Sequence, residues 1–171
     1  MNTLVKEKFY ETRNHLFEEI TLLSHIQFNR KPDKDKWSIA QVCHHLVLLE
    51  ERVITVISSG LKKIDNNQNE RKEIQTILLD RSIKFIAPET IEPSIEPFEV
   101  QQMITLLNES RKELMHFLST IEDESILAKK SVMHPALGEL FLDQWIELIY
   151  LHEQRHIEQI KEIKLLCEVG K

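Results

Sequence analysis

Two histidines one helical turn apart, His152 and His156, lie in a segment whose apolar residues recur every three or four positions. Advancing about 100° per residue puts Trp145, Ile149, Ile160 and Ile163 on one stripe, with both imidazoles within roughly 20° of its centre. Side chains four apart on a helix point the same way, so the pair faces the apolar side together. Burying two polar rings is costly unless each finds a partner. Spacing alone leaves two readings open: histidines hydrogen-bonded in a core, or a pair of ligands sharing a divalent metal.

A second helical pattern carries His44 and His45 beside a stripe of Val42, Leu46, Leu49, Val53 and Ile57. His44 points almost opposite to the stripe and is expected in solvent, whereas His45 lies at its edge, near Leu49 and Val56. His45 is therefore the candidate for a third inward ligand. Three histidines from two helices would leave coordination positions open to water or substrate, the pattern of catalytic rather than closed structural sites.

Glu153 and Gln159 lie beside the ligand face. They read either as groups that orient imidazole N–H bonds or as solvated polar residues. Arg155 reads as a partner for an anionic substrate or, more simply, for Glu158 or Glu162. Cys43 sits inside a helical pattern, where a cysteine behaves as a small apolar residue, and no cation or helix N-terminus is placed to activate it. His15, His25, His116 and His134 project from flanks, outer faces or a turn, and no chemical role is expected of them.

Four helical segments must position these residues. They are expected at about Thr3–Gln27, Ser38 to Ser58 or Ser59, Glu99–Ile121 and Leu140–Cys167. Ser38 and Gln41 form a capping box, Trp37 and Val42 a hydrophobic staple, and Gly60 is a natural stop for the second helix. Residues 61–98 open on a polar stretch expected to be mobile, followed by a short helix near Glu70–Leu79. Prolines at 88, 93 and 97 then favour extended geometry. Phe85, Ile86, Ile91, Ile95 and Phe98 are apolar enough to pack, so an ordered, irregular crossover is expected, one that shapes a pocket mouth. The expected fold is all-α, a single-domain four-helix bundle with a long central connection.

Composition agrees. The 171 residues carry three glycines and five prolines, too few breakers for a many-stranded sandwich or barrel. A net charge of −6 with no basic stripe argues against nucleic acid as a partner. No apolar run approaches the roughly 18 residues of a membrane helix, and the N-terminus has no apolar signal core. Two cysteines outside any CxxC motif suit a reducing compartment, so a cytoplasmic location is expected.

Two stretches carry a family resemblance. Trp37-Ser38-Ile39-Ala40-Gln41-Val42-Cys43-His44-His45-Leu46 places a histidine eight residues after a tryptophan. Gly138-Glu139-Leu140, Gln144-Trp145 and His152-Glu153-Gln154-Arg155-His156-Ile157-Glu158-Gln159 follow in order. The sequence resembles the DinB-like superfamily of bacterial four-helix proteins, which includes a YfiT-type group of proposed metal-dependent hydrolases. The resemblance implies an up-down-down-up bundle and a divalent metal, usually nickel or zinc, held by His45, His152 and His156. It also implies a small-molecule substrate, pairing into a homodimer, and either hydrolysis or transfer dependent on a low-molecular-weight thiol; the alternative is a non-catalytic bundle that only binds a metal or ligand. Phe141 stands where many relatives begin the last helix with Ser or Thr, and Arg155 where thiol-transferase relatives often have histidine.

Overall fold

The computed structural model describes residues 3–63 and 70–169. Helix α1 spans Thr3–Ile20, α2 His25–Asn29, α3 Ile39–Leu61, α4 Ile74–Leu79, α5 Val100–Ser119 and α6 Leu142–Val169. The long helices α1, α3, α5 and α6 form the bundle. Its directions follow from side-chain ties. Arg13 donates to the Leu107 carbonyl and Arg111 to the Phe9 carbonyl, so α1 and α5 run antiparallel. Lys164 bonds Glu19 while Glu153 bonds Thr12, so α1 and α6 run parallel. His45 meets His152, and Asn29 beside the start of α3 holds Phe98 beside the start of α5. The order is up, down, down, up, with the crossover between α3 and α5 returning the chain to the same end.

The first helix ends earlier than its periodicity predicts. It stops at Ile20, and a separate short helix begins behind Ser24, whose hydroxyl accepts from the Gln27 amide while Gln27 caps back. Ser24 and Gln27 have capping-box spacing, and that local cap outcompetes continuation. Ile26, placed on the apolar stripe by the longer helix, is consequently exposed. The Ser38–Gln41 capping box forms as expected.

Gly60 does not end α3, which runs through it to Leu61. A Cβ at position 60 would lie 2.5 Å from Leu142 Cδ2 and 2.9 Å from Val132 Cγ2. The glycine is there because two other elements pack on the helix at that point. One is an antiparallel hairpin, β1 Ser131–His134 with β2 Gly138–Phe141, where a turn alone was expected. Gly138 closes it with a φ of +75°, a conformation that favours glycine. The Trp145 indole N–H donates to the Val132 carbonyl and ties the hairpin to α6, and α6 begins at Leu142 rather than Leu140.

Among the described residues the crossover contains α4 and a 3₁₀ turn at Glu89–Ile91. The polar stretch expected to be mobile falls largely on residues 64–69, outside the described residues. Ile91 is buried and Phe85 and Phe98 are half-buried, but Ile86 and Ile95 stand in solvent. Side chains of other elements hold the backbone nearby, Arg155 at the Ile83 carbonyl and His44 at the Ser94 amide, so the segment does not depend on those two side chains.

Two apolar clusters fill the bundle. One includes Phe9, Leu49, Val53, Leu114 and Ile149, the other Leu16, Leu46, Met103, Leu107 and Ile160. Between them lies a charged layer to which each long helix gives one residue: Arg13, Glu50, Arg111 and Glu153. Arg13 lies 2.8 Å from Glu50 and 2.7 Å from Glu153, while Arg111 lies 2.6 Å from Glu50 and 3.0 Å from Glu153. Ser110 donates to Glu50 and Thr12 to Glu153. Burial alone would raise the Glu153 pKa, but Arg13 and Arg111 hold it below the usual carboxylate value.

Candidate metal centre

α3 presents His45 and α6 presents His152 and His156, which the i, i+4 spacing stacks on one face. The three rings meet. His152 Nε2 lies 2.9 Å from both His45 Nε2 and His156 Nε2, and one nitrogen from each ring falls within 4.8 Å of the other two. His45 and His156 are buried, His152 half-buried.

The far side of two rings decides their protonation. His45 Nδ1 lies 2.8 Å from the Ile91 carbonyl, which can only accept, so Nδ1 carries the proton and Nε2 a lone pair. His156 Nδ1 donates in the same way to Gln159 Oε1 at 2.7 Å. Two lone pairs therefore converge on His152 Nε2, where one proton can serve only one of them. A single cation would satisfy all three, and imidazole nitrogens backed by N–H bonds to oxygen are the donor set that zinc and nickel accept.

Electrostatics points the same way. Burial lowers the His45 pKa, against the opposing Ile91 hydrogen bond. Burial also takes His152 well below the ordinary histidine value, reinforced by His156 and His45. For His156, burial and then His45 lower it to about 3, with Gln159 opposing. The rings are neutral at physiological pH, the state in which imidazole binds a metal without first losing a proton.

Other candidates are placed differently. Gln159 reaches an imidazole, but Glu153 does not: its carboxylate is committed to Thr12, Arg13 and Arg111. Arg155 pairs with neither Glu158 nor Glu162. It donates to the carbonyls of Leu78 (2.8 Å), Asp80 (2.9 Å) and Ile83 (2.5 Å) and lies over the Phe85 ring, while Arg81 takes Glu162. His44 is not free in solvent. Half-buried, it accepts from the Ser94 amide at 3.0 Å and packs on Phe98. Trp37, beyond its packing role, sets its ring 5.0 Å from His45. Cys43 is fully buried, and burial pushes its thiol pKa far up. No helix among the described residues is long and apolar enough to cross a membrane.

The charged quartet was missed on sequence, though its signal was present. Arg13 continues the series Phe9, Leu16, Ile20; Glu50 falls between Leu46 and Val53; Arg111 between Leu107 and Leu114; Glu153 between Ile149 and Ile160. Each charge occupies a stripe position, and charges on a stripe must find one another.

Known proteins resemble this chain in sequence and in fold. The family model described as the DinB superfamily matches residues 8–160. The uncharacterized protein YuaE of Bacillus subtilis (strain 168) is 31% identical over 156 residues, covering 91% of this chain and 94% of that protein. Two solved structures share the fold. TT2238, a four-helix bundle protein, has a TM-score of 0.60 at 14% identity, covering 92% of this chain and 96% of that one. YfiT from Bacillus subtilis, described as a probable metal-dependent hydrolase with an unusual four-helix bundle topology, has a TM-score of 0.60 at 16% identity, covering 92% of this chain and 82% of that one.

Proposed function

The chain belongs to the DinB superfamily, and on that footing we propose that it is a divalent-metal-dependent enzyme, a hydrolase acting on a small molecule, with His45, His152 and His156 as ligands. The observation that carries this reading is the convergence of three imidazole Nε2 atoms, two of them fixed as lone-pair donors by Ile91 and Gln159. Zinc or nickel, bound by three neutral histidines, would lower the pKa of a coordinated water and polarise a carbonyl. The description of the structural neighbour YfiT as a probable metal-dependent hydrolase supports the same class.

The protein's own residues would do the rest. Ile91 and Gln159 hold the tautomers of two ligands. Trp37 shields one face of His45 from water. His152 Nδ1, the nitrogen turned away from the cluster, has no hydrogen-bond partner among the described residues, and no buried side-chain nitrogen or oxygen lacks one, so the back of this half-buried ring meets solvent.

Small-thiol transfer would use the same three ligands, with a thiolate in place of water. No residue described here singles out a thiol, so hydrolysis is the primary reading. The test is metal content of untagged protein prepared without chelator. One equivalent of divalent metal is expected in the wild type and in His44→Ala, and none in His45→Ala, His152→Ala or His156→Ala. Ester, amide and thiol-transfer substrates would then be screened with the loaded protein. A wild type that takes up neither zinc nor nickel would overturn the reading.

A further inference from the structure

His134 lies outside the ligand set, at the end of strand β1, and no role was expected of it. The hairpin fixes its chemistry. Its Nδ1 accepts from two backbone amides, Ala136 N–H and Leu137 N–H, each at 3.1 Å. A nitrogen that accepts two donors carries no proton, so the neutral ring holds its proton on Nε2. That N–H has no hydrogen-bond partner among the described residues, and the ring is half-buried rather than sealed, so Nε2 opens to solvent.

Its position follows from α6. The His134 ring packs on Trp145 at 4.9 Å between centroids. Trp145 shares the helix stripe with Ile149, His152 and His156, and seven residues, or two turns, separate it from His152, an axial rise of about 10 Å. The hairpin thus delivers an imidazole to the stripe that carries the candidate ligands, close enough that a charge on it would act on His152. His152 is also the ligand whose far nitrogen is open.

We propose that the His134 Nε2–H is a ligand-positioning donor beside the three-histidine centre, presented to a hydrogen-bond-accepting oxygen, a carboxylate or carbonyl, of a molecule held there. This rests on the metal-centre reading. The hairpin turn keeps the donor from rotating its proton to the wrong nitrogen. Burial lowers the His134 pKa to about 4, so the donor stays neutral at physiological pH and its attraction for the oxygen comes from the N–H alone.

His134→Asn separates the two jobs of the ring. The Asn Oδ1 replaces Nδ1 as the acceptor for the turn amides, an Asx-turn geometry, while the distal donor is deleted. Cobalt(II)-loaded wild type and variant would be titrated with azide, which needs only the metal, and with acetate, malonate, succinate and glutarate, whose second carboxylate reaches progressively further. The expected result is one equivalent of cobalt and equal azide affinity in both proteins. At least one dicarboxylate should bind the variant about tenfold more weakly, the effect of one lost hydrogen bond. Equal affinity for every carboxylate, with cobalt bound in both, would overturn this assignment and leave the metal centre standing. A wild type that binds no cobalt would overturn both.

Discussion

Arg13 Nε donates to Glu153 Oε1 at 2.7 Å, joining α1 to the turn of α6 that lies between His152 and His156. The same Glu153 takes Arg111 from α5, and both arginines take Glu50 from α3. The four long helices are thus locked at one level by a neutral ring of two cations and two anions. A helix that slipped by one turn would break several of these bonds at once. The quartet therefore sets the axial register that brings His45 level with His152 and His156.

Removing one member leaves charges uncompensated in a buried layer. Glu153→Ala is expected to destabilise the protein by about 3–5 kcal/mol, the cost of breaking a buried pair. Urea unfolding measures it. A loss below about 1 kcal/mol, the usual worth of an exposed pair, would show that water reaches the ring.

Gly60→Ala sets two effects against each other. Alanine gains roughly 1 kcal/mol of helix propensity over glycine. Its Cβ, however, would stand 2.5 Å from Leu142 Cδ2, and Leu142 is fully buried. Overpacking of this kind costs about 1–3 kcal/mol, so net destabilisation is expected. A higher melting temperature in the variant would show that Leu142 and the hairpin yield freely.

Arg155 fastens the crossover to the ligand helix through three carbonyls and the Phe85 ring. Arg155→Met keeps the aliphatic stem and removes the donors. At about 0.5–1.5 kcal/mol for each lost hydrogen bond, amides in residues 79–86 are expected to exchange at least tenfold faster, with metal content unchanged. Native-state hydrogen exchange reads this directly, and unaltered protection would mean that α4 and Phe85 hold the segment without the arginine.

His134 gives the metal-free protein a pH dependence. Its folded pKa of about 4 lies below the value of about 6.5 for an unfolded chain, because burial disfavours the charged ring. Below pH 6.5 the unfolded state takes up a proton that the folded state refuses. Its contribution to stability is therefore fully present above pH 6.5 and declines as the pH falls toward 4. In chelator-treated protein, His134→Asn is expected to flatten that part of the stability curve. Parallel curves for the two proteins would contradict it.

The helices, their caps at Ser38 and the inward faces of His45, His152 and His156 were legible from spacing, because a period of 3.6 residues and short-range capping are properties of the chain itself. The break after Ile20 is also local, written in Ser24 and Gln27, but the apolar spacing runs on through it and masks the signal. Other features depended on what arrives from elsewhere. Sequence could place Glu153 and Gln159 equally near the ligands; only the packing of α1 and α5 gave Glu153 to two arginines and left Gln159 for His156. His44 lost its place in solvent to Ser94 and Phe98, fifty residues away and more, and Arg155 exchanged a helical ion pair for the carbonyls of the crossover. By itself the sequence determined which residues share a helix face, since that needs only the geometry of one helix. The tertiary structure decided what each polar group bonds, since that depends on which donors and acceptors the other elements bring within about 3 Å.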